Sequence, residues 1–339
     1  MPRVLISVRV NDEQVARLRA AAPGVDLISA PGGIALRPPG PLDLMEPTCP
    51  AYHPELDLAT ILPTIDAIVA YDLTPELRAQ APRLRWVQVF HAGVDGVWQP
   101  YLAEPDLIVT TVSGTHPIPM TEFVLSLLLY FAKRLGQFRE QQARREWRKA
   151  VVDELYGATV AIVGYGTIGS ALAVTLRSLG MAVVGVRRTP DRAAPPPPEL
   201  TALYGPDDLP RALAGARYVV SILPRTPETE DFWNDARFAL LPPGAVFVNV
   251  GRGRTVDEAA LLRALRSGRL AGAGLDVFAT EPLPPDSPLW DEPNVLVVPH
   301  TGSETVHYTD RALAIVADNL QRFVDGRPLR NVIDKRLRY

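Results

Sequence analysis

The stretch VAIVGYGTIGS, residues 160–170, constrains the fold more than any other part of the chain. A run rich in valine and isoleucine turns at Gly164 into a segment with helical spacing. Gly164, Gly166 and Gly169 fall on the three glycine positions of a G-x-G-x-x-G turn. The first permits a tight turn, the second lets backbone approach a pyrophosphate, and the third lets helix and strand pack closely. The helix amino terminus then offers N–H groups and a partial positive charge to an anion. In this strand–turn–helix context the motif implies dinucleotide binding on an open parallel sheet.

About twenty residues later such a fingerprint is ordinarily answered by an acidic residue, placed to hold a ribose 2'-hydroxyl. Here the next strand pattern ends VVGVRRTP, with Arg187 and Arg188. A carboxylate would repel a 2'-phosphate, whereas a guanidinium gives it bidentate, charge-assisted hydrogen bonds. The expected cofactor is therefore NADP(H), with NAD(H) the alternative. An exposed strand end is the plainer explanation of two arginines, and Arg225 in SILPRTPET is a further candidate for the same pocket.

At 339 residues the chain exceeds a single comfortable core, and a prior of about 150 residues per domain gives two. Apolar runs alternate with amphipathic stretches, the pattern of strands and crossover helices. Strands are expected at Arg3–Val8, Val25–Ser29, Ala67–Tyr71, Arg85–Phe90 and Leu107–Thr111. A second series is expected at Thr159–Val163, Ala182–Val186, Tyr218–Leu223, Ala245–Val250, Ala271–Val277 and Val295–Val298. These six strands make a dinucleotide-binding sheet, and the four prolines of RAAPPPPEL make a loop on its edge. Residues 119–149 read as one continuous helix of about 45 Å, long enough to join domains or pair subunits, with a basic end, ARREWRKA, that reads as a solvated or interface face, an anion partner being the alternative. The segment Pro31–Pro54, rich in proline and glycine, reads as an irregular surface excursion.

The expected fold class is α/β, with two doubly wound parallel-sheet domains and a Rossmann cofactor domain inserted into a flavodoxin-like substrate domain. Residues 1–112 and 306–339 form the substrate domain, residues 113–305 the dinucleotide-binding domain, and a cleft lies between them. A net charge of -3 gives no global electrostatic footprint for nucleic acid or an anionic membrane. The lone Cys49 cannot form an internal disulfide, and FVLSLLLYFA falls short of the roughly 20 apolar residues that span a bilayer. A soluble, cytoplasmic protein with small-molecule partners is the expectation. The five histidines show no metal-ligand spacing.

Three motifs follow at later strand ends, where an open parallel sheet presents its ligand crevice: VNVGRG with Arg252, LDVFATEPLP with Asp276 and Glu281, and VVPHTGS with His300. Together with VGYGTIG, LPRTPET, NVGRGRTVDEAALLRAL and SPLWDEPNVLVVPHTG, they make the chain resemble the D-isomer-specific 2-hydroxyacid dehydrogenases, closest to the NADPH-dependent glyoxylate/hydroxypyruvate reductases. HAGVDGV and MTEFVLSLLLYFAKR look like that family's substrate loop and dimer-forming helix.

The resemblance implies reduction of a small 2-oxo acid to the D-2-hydroxy acid by hydride transfer from NADPH. His300 matches the general acid and base, a task suited to an imidazole. Glu281 matches the carboxylate that orients it, and Arg252 the fork that binds substrate carboxylate and carbonyl oxygen. Asp276 matches the residue at the nicotinamide carboxamide, although a buried aspartate satisfied by backbone donors is the simpler alternative. Cofactor contacts are also implied for Tyr165, Thr167, Ile168, Leu223, Pro224, Thr229, Val250 and Gly302, and for Arg252 and His300 themselves. Substrate contacts are implied for the amides of Ala92 and Gly93, and for Arg252, His300 and Ser303. Asp95 reads as a loop cap. His91, His116 and Pro117 depart from the commonest wording and bear on side-chain selectivity. A homodimer through the long helix is implied. The rival reading is a non-catalytic, nucleotide-sensing or corepressor-like protein on the same fold.

Overall fold

Valine, isoleucine and alanine dominate strands buried on both faces, as a parallel sheet covered by helices requires. The computed structural model describes residues 1–30, 32–36, 56–94, 100–191 and 193–336. Cys49, Asp95 and all of the Pro31–Pro54 excursion except residues 32–36 lie outside the described residues. The chain divides into two compact units, Met1–Thr115 with Thr305–Tyr339, and His116–Glu304.

In the first unit β1 (Arg3–Ile6), β2 (Asp26–Ile28), β3 (Ala67–Ala70), β4 (Trp86–Val89) and β5 (Ile108–Thr110) pair in parallel. Their order, β2-β1-β3-β4-β5, is the flavodoxin-like one. The helix Tyr308–Val324 buries Ala312, Leu313, Val316 and Leu320 against the same core as Val15 and Leu18 of the helix Asp12–Ala21. A satisfied polar network fixes it further. Asn319 Nδ2 donates to Gln88 Oε1 (2.9 Å), which also accepts from the Thr110 hydroxyl (2.9 Å).

The second unit holds β6 (Thr159–Val163), β7 (Ala182–Val186), β8 (Ala202–Tyr204), β9 (Tyr218–Ser221), β10 (Ala245–Asn249), β11 (Leu270–Leu275) and β12 (Val295–Val297). Among the described residues they form one parallel sheet in the order β12-β11-β10-β9-β6-β7-β8. Counted within the unit this is the 3-2-1-4-5-6 dinucleotide order with a seventh strand beyond it, and its switch point lies between β6 and β9. The sequence reading expected six strands and missed β8. It is three residues long and begins after Glu199, Leu200 and Thr201, past the proline run, which bars a ladder only as far as Pro198.

The single helix expected over residues 119–149 is not formed. The structure has two helices, Pro117–Ala132 and Leu135–Ala143, and none over residues 146–154. Between the helices Arg134 adopts a left-handed conformation (φ 53°), and Gly136 lies so close to the Tyr130 hydroxyl that a side chain there would collide with it. Just beyond Ala143, Trp147 is 95% and Val151 87% exposed, so no packing repays further helix over those residues. Among the described residues no helix is long and apolar enough to cross a membrane.

Candidate active site

The glycine turn has the shape a pyrophosphate needs. Gly164 takes φ 107°, and a Cβ on it would stand 2.5 Å from the Ile222 carbonyl oxygen, so only glycine serves there. The amides of Gly164 and Tyr165 both donate to the Val186 carbonyl (3.0 and 2.8 Å), tying the turn to the end of β7. A Cβ on Gly166 would meet nothing within 4 Å, which leaves the approach to the backbone open, while Gly169 packs directly against the turn. The helix Thr167–Ser178 starts at Gly166 with no side-chain cap, so its first-turn amides face the space in front of the turn. These residues fit a dinucleotide.

Further strand ends surround that turn. Arg187 and Arg188 follow β7 and are both exposed. Arg225 has an acidic partner of its own, Nε and Nη2 lying 2.9 and 3.4 Å from the Glu230 carboxylate. In LPRTPET the Thr229 hydroxyl donates to the Pro224 carbonyl (2.6 Å) and accepts from the Thr226 amide (2.8 Å), which shapes the turn after Leu223. The Val250 amide donates to the Ser221 carbonyl (3.0 Å), keeping the end of β10 beside that of β9.

The ends of β10, β11 and β12 are adjacent, and each delivers one motif. After β12, His300 takes a left-handed conformation (φ 48°), and its amide donates to the Asp276 carbonyl (2.9 Å). Its Nδ1 lies 2.7 Å from Glu281 Oε2, and the other oxygen of that carboxylate accepts from the Phe278 amide (2.9 Å). Glu281 is thus held by its own loop and engages one ring nitrogen, which leaves Nε2 for proton exchange. The His300 side chain is 46% exposed, open enough to meet a ligand.

Asp276, 2% exposed, anchors the same loop, accepting from the amides of Thr301 (2.9 Å) and Gly302 (3.1 Å). Burial pushes its carboxyl above the usual range, against the pull of those two amides and of His300. The alternative of a buried aspartate satisfied by backbone donors therefore describes its contacts within the protein.

After β10, the Arg252 carbonyl accepts from the Thr255 amide (3.1 Å) and hydroxyl (2.6 Å), and Nη1 donates to the Gly251 carbonyl (3.0 Å). Gly253 sits against the Phe278 backbone with no room for a side chain. A continuous line of contacts, Arg252–Gly253 to Phe278 to Glu281 to His300, therefore joins the three motifs.

Ala92 and Gly93, the expected carboxylate amides, belong to the first unit. They are half-buried after β4, where the His91 carbonyl accepts from the Val112 amide (3.1 Å) and the His91 ring packs on Tyr71. Ser303 is half-buried beside Gly302. Sequence reasoning missed Glu258, whose Oε1 accepts from the Ala279 amide (2.8 Å) and so holds the residue after Phe278. The available signal was a second acid directly after the helix cap Asp257, in VDEAALL.

A family model described as "D-isomer specific 2-hydroxyacid dehydrogenase, NAD binding domain" matches residues 125–302, more than half of the chain. The chain belongs to the D-isomer specific 2-hydroxyacid dehydrogenase family. It is similar to the glyoxylate/hydroxypyruvate reductase A of Serratia proteamaculans, with 32% identity over 271 residues that cover 78% of this chain and 84% of the relative. Among solved structures, the D-isomer specific 2-hydroxyacid dehydrogenase from Xanthobacter autotrophicus in complex with NADPH and MES superimposes with a TM-score of 0.78 at 33% identity, covering 99% of this chain and 98% of the other. The NADPH-dependent glyoxylate/hydroxypyruvate reductase from Sinorhizobium meliloti, in complex with NADP and sulfate, gives 0.78 at 31% identity, with 100% of both chains covered. As a member of this family the chain is an oxidoreductase acting on CH–OH donors, with a Rossmann domain that binds NAD(P).

Proposed function

We propose that this dehydrogenase reduces a small 2-oxo acid, such as glyoxylate or hydroxypyruvate, to the D-2-hydroxy acid, with NADPH as the preferred cofactor. The observation that carries the reading is the contact of His300 Nδ1 with Glu281, held on a loop beside the Arg252 turn. The names of the Serratia and Sinorhizobium relatives support the substrate class, and the NADPH and NADP of the two solved relatives support the cofactor.

Bound NADPH supplies the hydride for the ketone carbon. The Arg252 guanidinium binds substrate oxygens and stabilises the negative charge that grows on the former ketone oxygen. The His300 ring gives that oxygen its proton, while Glu281 keeps Nδ1 engaged and the ring in place. Overall, 2-oxo acid, NADPH and one proton become 2-hydroxy acid and NADP⁺. Asp276 holds the loop that carries His300, and Glu258 the loop that carries Glu281.

The test is loss of absorbance at 340 nm with a panel of 2-oxo acids and either cofactor. Turnover with NADPH and at least one small 2-oxo acid is expected, and cofactor binding without any turnover would favour a nucleotide sensor. Within the same assay, Arg187→Asp is expected to raise the Kd for NADPH by about a hundredfold, because a guanidinium–phosphate pair is replaced by carboxylate–phosphate repulsion. The Kd for NADH should change by less than about threefold. Equal weakening of both would remove Arg187 from the 2'-phosphate.

A further inference from the structure

The end of β7 carries an acid beside its arginines. Leu200, buried, packs over Gly185 of β7, where a Cβ would approach its Cδ1 to 2.8 Å, and the Thr201 amide donates to the Val183 carbonyl (2.7 Å). These two anchors return the chain to β7 after the proline run and bring Glu199 with them. The Glu199 carboxylate accepts the hydroxyl of Tyr165. Tyr165 is itself the second residue of the glycine turn, with its amide on the Val186 carbonyl (2.8 Å) and its ring against Gly185. Burial first, and Glu199 next, hold that tyrosine in its protonated, donating form, while the Arg187 guanidinium acts on the same hydroxyl in the opposite sense. Arg187 follows Val186, whose carbonyl takes the Tyr165 amide, so a carboxylate and the guanidinium expected to meet a 2'-phosphate lie at the same end of β7.

We infer that Glu199, pinned by Tyr165 at the end of β7, is a specificity-determining residue that weakens the binding of the NADPH 2'-phosphate and leaves NADH unaffected. The inference rests on the reading that Arg187 receives that phosphate. A fixed negative charge at the end of β7 subtracts from the attraction felt by a phosphate anion, whereas a neutral 2'-hydroxyl carries no charge for it to repel. Tyr165 supplies the fixed position, because its hydrogen bond keeps the carboxylate from turning away into water.

Glu199→Gln isolates the charge, since the amide oxygen still accepts from Tyr165. Binding is read as the Kd for NADPH and NADH, from nucleotide fluorescence enhancement at low and high salt. The variant should bind NADPH about three- to tenfold more tightly than the wild type, with NADH within about twofold, and the gain should shrink at high salt. Retained NADH binding certifies the fold. An unchanged Kd for NADPH, or equal tightening of both nucleotides, would overturn the inference. Arg187→Asp, measured in parallel, separates the two levels: if it weakens NADPH selectively while Glu199→Gln does nothing, the role of Glu199 falls and the cofactor reading stands. If Arg187→Asp is unselective, both fall.

Discussion

Asparagine at position 300 will lower kcat for 2-oxo acid reduction by about a thousandfold, within the usual range for loss of a positioned general acid, and will leave the Kd for NADPH within about threefold. Asparagine is the informative replacement because His300 holds φ 48°, a conformation that asparagine tolerates better than most residues. It can still meet Glu281 Oε2, so the loop stays in place, yet it has no proton to exchange at the reacting oxygen. The rate must then depend on solvent as the proton source. Single-turnover oxidation of bound NADPH, followed by absorbance beside an independent binding titration, checks this. A variant that turns over within tenfold of the wild type would remove His300 from the chemistry.

Arg252→Gln carries the second large effect, a fall in kcat/KM of about a thousandfold, shared between a raised KM and a lowered kcat. On the proposed mechanism both parameters move, because the same fork binds the substrate in the ground state and the oxyanion in the transition state. Glutamine keeps a polar side chain on a backbone already fixed by Thr255, so the turn should survive. Arg252→Lys should recover little of the loss, since one ammonium cannot hold two oxygens in a plane. Steady-state kinetics with glyoxylate or hydroxypyruvate reads all three proteins. A change confined to KM would reduce Arg252 to ground-state binding.

The strands of the second unit were legible where an uninterrupted apolar run is bounded by turn residues, and β6 and β7 have the expected limits, Thr159–Val163 and Ala182–Val186. β8 escaped because three residues carry no period, and it exists only through its pairing with Val184–Val186 of β7. The helix break at Arg134 was hidden for a related reason. Arg134 takes a left-handed conformation that no local pattern marks in an arginine, and the Tyr130 hydroxyl packs over Gly136 in the first turn of the second helix.

At the candidate site the motifs named the residue types and their order, and the contacts explain the neighbours those motifs left silent. Glu258 reaches an amide 21 positions away, and Glu199 a hydroxyl 34 positions away. No local pattern encodes such pairs, because they arise when the sheet order sets separate loops side by side. Asp276 shows the converse, a residue with an expected ligand whose contacts within the protein are the amides of the His300 loop.

The most direct test of the central claim follows the hydride itself. Hydroxypyruvate is reduced by the wild-type protein with NADPH carrying deuterium at the transferable position of nicotinamide C4, and the product is analysed by mass spectrometry and chiral separation. The account predicts D-glycerate with one deuterium on C2, formed in step with the loss of absorbance at 340 nm, and no such product from His300→Asn on the same timescale. Product without deuterium on C2, or NADPH bound and never consumed by any 2-oxo acid, would contradict it.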